Sequence, residues 1–250
     1  MKLSYFELLS SEPVRIPEIG GIVCPTLRQI AALGHFTYQY YLAVLSMDTK
    51  GCLDMLGKGK LWESLAEEEK CRINVFDLFL MEENAIALLQ NVLNFFIRER
   101  VEYSAQHKGF LVTDDAPVGL ITGAVYPQVC ELICQRCGVS GRKEEDLSKA
   151  KDKKALEIIR KLQKGRAERA KHATPDANME LGNIISAVAN RSYALNMQNI
   201  WDLTVFQLWD SFYRLYHNTV FDIQSMSVAA WGSKDHNFDA AAWYKMREQV

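Results

Sequence analysis

The chain has 250 residues, 48% of them hydrophobic and 24% charged, with a formal net charge of −2 and six cysteines. A chain of this length buries a self-sufficient core without disulfide staples, and its 14 Gly and 6 Pro are too few for a fibrous or largely disordered polymer. No window approaches the roughly 18 uncharged apolar residues of a membrane span, and Glu7 and Glu12 interrupt any secretory run at the N-terminus; the expected setting is a reducing cytoplasm with free thiols.

In chain order, Pro13-Val14-Arg15-Ile16-Pro17-Glu18-Ile19-Gly20-Gly21-Ile22-Val23 alternates turn formers with β-branched residues. This predicts two short strands around Gly20-Gly21, with the Pro17 strand confined to an edge. Thr26 followed by Gln29 has capping-box spacing, so a helix is expected to start there. Leu27, Ile30, Leu33, Tyr38, Tyr41, Leu42 and Leu45 recur mostly at three- and four-residue steps, which predicts two helical pieces joined near Gly34. A short apolar patch lies between residues 48–51 and 57–59, and residues 62–71 read as a solvated helix. The strongest predicted element is one long helix over residues 73–103, with Val75, Phe76, Phe79, Leu80, Ile86, Leu89, Val92, Leu93 and Phe96 on a wide apolar face. Residues 109–126 read as a loop with a short extended piece at Phe110-Leu111-Val112, because Asp114-Asp115, Pro117 and Gly119 are turn formers. Pro127 then opens a helix that carries Val129, Leu132 and Ile133 and stops at Gly138.

Residues 142–171 change character, with twelve Lys or Arg against six Asp or Glu. The local excess of +6 leaves −8 on the remainder, so electrostatic partner effects should be local. A solvated helix or connector is the plainer reading. Phosphate binding by residues 149–171 is the rival, weakened by interleaved acids and by the lack of aromatic residues for base stacking. Beyond it, residues 179–189 are apolar and helix-compatible.

Motifs for chemistry are sparse. Cys134-Gln135-Arg136-Cys137 has the formal spacing of a zinc or redox pair, with Cys130 one turn earlier. The histidines stand singly at 35, 107, 172, 217 and 236, so no second ligand pair completes a finger, and inert buried thiols are the plainer reading. Gly57-Lys58-Gly59-Lys60 lacks P-loop spacing and reads as a surface turn. No catalytic residue, metal ligand or cofactor is assigned, and the chain is expected not to be an enzyme.

The most informative stretch follows Asn199. Thr204 and Gln207 repeat the capping-box spacing, and Val205, Leu208, Trp209, Phe212, Leu215 and Tyr216 form an i, i+3, i+4, i+7 stripe. Such a stripe is usually core; its functional reading is a surface that accepts a partner's amphipathic helix, with aromatic anchors. The candidate protein-binding residues are Leu203, Val205, Phe206, Leu208, Trp209, Phe212, Tyr213 and Tyr216.

The run Trp201-Asp202-Leu203-Thr204-Val205-Phe206-Gln207-Leu208-Trp209-Asp210-Ser211-Phe212, with Phe221-Asp222-Ile223-Gln224, Trp231-Gly232-Ser233-Lys234-Asp235 and Trp243, resembles the C-terminal part of helical tail-assembly proteins of tailed bacteriophages. Phe6-Glu7-Leu8-Leu9, Gly20-Gly21-Ile22 and Pro25-Thr26-Leu27-Arg28-Gln29-Ile30 resemble their opening. The resemblance implies a cytoplasmic tail assembly chaperone, a self-associating protein that coats the apolar tape-measure protein until tail-tube subunits polymerise around it. A structural tail or baseplate subunit is the alternative. The expected fold is mainly α: a multi-helix N-terminal body over residues 1–140 with room for a small β-hairpin, a charged connector over 141–175, and a smaller helical C-terminal region over 176–250.

Overall fold

The computed structural model describes residues 1–70, 73–139, 176–232 and 238–245, so the charged block and Cys71 lie outside the described residues. The architecture is mainly α with two small antiparallel sheets. Ser4 and Glu7 form a capping box that opens α1 (Tyr5–Leu9). The expected hairpin follows as β1 (Val14–Ile16) and β2 (Gly20–Ile22), with Ile16 opposite Gly20. Its reversal falls on residues 17–19, with Glu18 at φ 64°, and the two glycines lie inside the second strand. The reason is space: a Cβ on Gly20 would stand 2.6 Å from a Glu99 carboxylate oxygen, which itself accepts the Gly21 N–H at 2.7 Å.

The Thr26–Gln29 capping box is formed and starts α2 (Leu27–Leu33). Gly34, at φ 95°, then turns the chain into α3 (His35–Leu45), as the spacing predicts. The short apolar patch is α4 (Thr49–Met55), and the solvated helix is two short ones, α5 (Gly59–Ser64) and α6 (Glu67–Lys70).

The long helix expected over residues 73–103 is not one helix. It divides into α7 (Val75–Phe79) and α8 (Glu83–Phe96), and its last part is strand. An unbroken helix would place Glu82 and Glu83 on the face that carries Phe76 and Phe79. The break re-phases the chain so that Ala85, Leu89, Val92, Leu93 and Phe96 are buried instead. The far end of α8 is set by backbone capture: Val23 N–H donates to Phe96 O and Arg98 N–H to Gly21 O, both at 2.9 Å.

The loop expected over residues 109–126 is likewise corrected. β3 (Arg100–Ser104), β4 (Gly109–Thr113) and β5 (Pro117–Ile121) form an antiparallel meander. Period-two burial supports it, since Val101 is buried between exposed Arg100 and Glu102, and Phe110 and Val112 are fully buried. Pro117 starts an edge strand, where a missing N–H costs little. Gly119 admits no side chain, because a Cβ would stand 1.8 Å from the Glu18 carbonyl oxygen of the β1–β2 turn.

The outer edge of β3 has a helix as its partner. Asn94 of α8 accepts the Val101 N–H at 2.9 Å and donates to Val101 O at 2.7 Å, while Gln90 accepts the Tyr103 N–H at 2.9 Å. These two amides act as a surrogate strand and close an edge that could otherwise pair with another chain. Asn94→Leu leaves both Val101 backbone groups without partners and is expected to cost about 2–4 kcal/mol. A urea unfolding series checks it, and Asn94→Asp, which keeps the acceptor alone, should lose less.

α9 (Tyr126–Arg136) ends before Gly138, at φ 69°, in agreement with the expected stop. Its Tyr126 ring lies 5.2 Å from that of Phe76, which also meets Phe110 at 5.9 Å, joining helices and meander in one core. The C-terminal part contributes α10 (Leu181–Arg191) and α11 (Val205–Trp231), and Ile200, Val205 and Leu208 belong to the same buried cluster as the N-terminal body.

Candidate functional site

Two local signals that lie far apart in sequence meet in space and launch α11. Thr204 Oγ1 accepts the Gln207 N–H at 3.2 Å, and the Gln207 amide oxygen accepts the Thr204 N–H at 2.9 Å, closing the second capping box. Across from it, Leu27 N–H donates to Leu203 O at 2.9 Å and Val205 N–H to Pro25 O at 3.0 Å, so the two capped ends form a reciprocal antiparallel bridge. Side-by-side helix N-termini repel, since each carries positive partial charge. The Asp202 carboxylate brings negative charge to this point and accepts two bonds from Arg28, at 2.7 and 3.0 Å.

The N-terminal segment completes the mounting. Gln207 donates to Leu9 O at 2.8 Å and the Tyr5 hydroxyl to Asp210 at 2.7 Å. From the opposite side, Gln135 accepts the Leu3 N–H at 2.9 Å and donates to Met1 O at 3.0 Å. Arg136, fully buried, donates from Nη1 to Glu7 O and Ser10 O and from Nη2 to Glu12 O, the last at 2.9 Å. Residues 1–12 are thus held between α9 and α11. Nothing in local sequence pairs positions more than a hundred residues apart, so this arrangement had no sequence signal.

The predicted contact residues divide along α11. Val205, Phe206 and Leu208 are buried core and offer no surface, because the bridge at Thr204 presses the first turn of α11 onto the body. Leu203, Trp209 and Phe212 are half-buried against that core, with the Trp209 and Phe212 rings edge to face at 6.3 Å. Tyr213 is half-buried, and Tyr216 is 62% exposed. Beyond the predicted stretch, Ile223, Met226 and Trp231 are 60%, 64% and 87% exposed.

A second exposed apolar group was missed. Phe36 on α3 is 82% exposed and Tyr40, one turn on, is 40% exposed. The signal was present as composition: residues 29–47 contain no Asp, Glu, Lys or Arg.

Cys24, Cys52, Cys130, Cys134 and Cys137 are free and buried. Burial pushes the Cys130 thiol up to about 12 and Cys52 up to about 11, so both stay protonated and unreactive at neutral pH. Among the described residues no group of three or more His, Cys, Asp or Glu could hold a metal ion, and no helix is long and apolar enough to cross a membrane. A shallow cleft of about 450 Å³ beside residues 6–15 is lined by Glu7, Glu12, Arg15 and Arg98, a balanced set of surface charges.

The exposed half of α11 falls within the stretch that matches a known family. Residues 170–248 match the model of the YomV second domain, a phage-derived family. The YomV-like stretch holds α10, α11 and the bridge to α2, and leaves residues 1–169 outside the match. No curated protein and no solved structure matches the chain.

Proposed function

We propose that the protein is a non-enzymatic, protein-binding factor of phage assembly that acts, like a tail assembly chaperone, by covering the apolar tape-measure protein. The observation that carries this reading is the amount of large apolar side chain standing in water on two helices: Phe36 and Tyr40 on α3, and Tyr216, Ile223, Met226 and Trp231 on α11. Aromatic and Met side chains of this kind are what interface centres are built from, and charged residues are depleted there. The phage-derived family of residues 170–248 supports the setting.

The test is co-purification of the full chain with helical fragments of a tape-measure protein encoded beside it. Phe36→Glu is the decisive variant, since the ring touches little of its own fold and Glu suits the first turn of a helix. Loss of an aromatic anchor costs on the order of 2 kcal/mol, so capture should fall about thirtyfold while thermal stability is unchanged. Capture of such fragments that is indifferent to Phe36→Glu, or no capture at all, removes the reading.

A further inference from the structure

We infer that residues 238–245 form a releasable strap, which occupies a second receptive face of α11 and holds it closed to a partner. The face is set by spacing. Arg214 and Phe221 lie seven residues apart, two turns and about 10 Å along one side of the helix. Ile223, two residues past Phe221, points away from that side and stays exposed. Both ends of the strap are fastened to the Arg214 side. The Phe238 ring lies 5.6 Å from that of Phe221 at an interplanar angle of 32°, and Lys245 O accepts from Arg214 Nη1 at 2.9 Å. The strap thus runs antiparallel to the helix. Between the two anchors it folds on itself: Asp239 Oδ1 accepts the Ala241 N–H at 3.0 Å, Asp239 pairs with the Lys245 ammonium, and Ala242–Tyr244 make a single 3-10 turn.

The receiving half of this contact is built independently of the strap. Arg214 Nη2 donates to the Tyr5 hydroxyl at 3.3 Å, Tyr5 donates to Asp210 at 2.7 Å, and the Asp210 carboxylate stands 4.0 Å from Arg214 Nε. The guanidinium is therefore aimed before any carbonyl arrives, and a preorganised donor loses little freedom on binding. The strap half is loosely held. None of residues 238–245 is buried, and Trp243 and Tyr244 are 52% and 60% exposed. A surface segment fastened mainly by a ring contact and a hydrogen bond opens far more readily than the core.

What the strap supplies identifies what the face accepts: an aromatic ring for Phe221 and, two helical turns away, a backbone carbonyl for Arg214. A partner segment with the same two groups competes for the same place. Five residues separate Gly232 from Phe238, and an end joined through so short a link is present at an effective concentration on the order of millimolar. The strap therefore stays closed even where the same segment supplied in trans binds at only about 100 µM, and an external ligand meets a site about tenfold weaker than the bare face.

The probe is an acetylated, amidated peptide of residues 238–245, titrated against the full chain by ligand-observed NMR. It should bind the Phe238→Asp and Phe238→Ala chains at about 100 µM and wild type about tenfold more weakly, because the wild-type strap already holds the face. The same peptide carrying Phe238→Ala should not bind. Equal binding to wild type and to the variants, or no binding to either variant, overturns the inference. Circular dichroism of both variants should match wild type, since Phe238 lies outside the buried core. In hydrogen exchange of wild type, residues 238–245 should exchange well ahead of the first turns of α11; a strap protected as long as those turns overturns its release. No tape-measure fragment enters this test, so its outcome is decided separately from that of the functional reading.

Discussion

Arg136→Met is expected to lower the unfolding free energy by about 3–5 kcal/mol, because three backbone carbonyls lose their donor and each unsatisfied group costs about 1–3 kcal/mol. The guanidinium is fully buried, and its partners are the carbonyl oxygens of Glu7, Ser10 and Glu12. Burial lowers the Arg136 pKa, the expected cost of keeping a cation away from water. Methionine fills similar volume but leaves three carbonyls without the guanidinium donors that hold them. Arg136→Lys should recover little, because an ammonium is a point donor and lacks the planar fork that spans two carbonyls at once. The effect should reach α11, since residues 1–12 also hold Gln207 and Asp210. Hydrogen exchange is therefore expected to rise in α1 and the first turns of α11 together. A loss below 1 kcal/mol would show that the carbonyls find water instead.

The second large effect is alkaline. Burial raises the pKa of Cys24, Cys52, Cys130, Cys134 and Cys137, to about 11 for Cys52 and about 12 for Cys130, and raises Tyr38 and Tyr126 as well. In the unfolded chain a thiol loses its proton near pH 8.5. Above that pH the unfolded state holds fewer protons than the folded state, so stability falls as pH rises. The contribution is complete below about pH 8.5 and is withdrawn from there toward the folded-state values. Each thiol removes about 1.4 kcal/mol per pH unit in this window, against a total of about 5–15 kcal/mol for a domain. Under reducing conditions the urea midpoint should be level between pH 6 and 8 and collapse before pH 11. Cys130→Ala should flatten the slope by one thiol's share; an unchanged slope would mean that water reaches Cys130.

How much was legible follows the range of the interaction involved. Both Thr-x-x-Gln boxes and the turn at Gly34 were read correctly, because a cap is made by residues three apart and needs nothing else. The break between α7 and α8 was visible in principle, since Glu82 and Glu83 fall on the face of Phe76 and Phe79, but a wide apolar face masked the slip in phase. The meander was harder. Asp114, Asp115, Pro117 and Gly119 carry strong turn signals, and only pairing with β4 and the approach of Glu18 make 117–121 a strand. At the candidate site, the stripe from Val205 to Tyr216 was found, but which part is core and which is open depends on where the body ends.

The amino-acid sequence by itself determined the helical character of the chain, its capped helix starts and its uncharged aromatic stretches, since propensity, capping and composition act over a few residues. Only the tertiary structure decided that the two capped ends lock together, that Arg136 satisfies backbone carbonyls of the distant N-terminal segment, and that Trp209 and Phe212 pack on the core while Tyr216, Ile223 and Met226 stand exposed. Those outcomes depend on which backbone donors, acceptors and apolar faces meet after the chain has closed on itself, and that meeting has no period along the sequence.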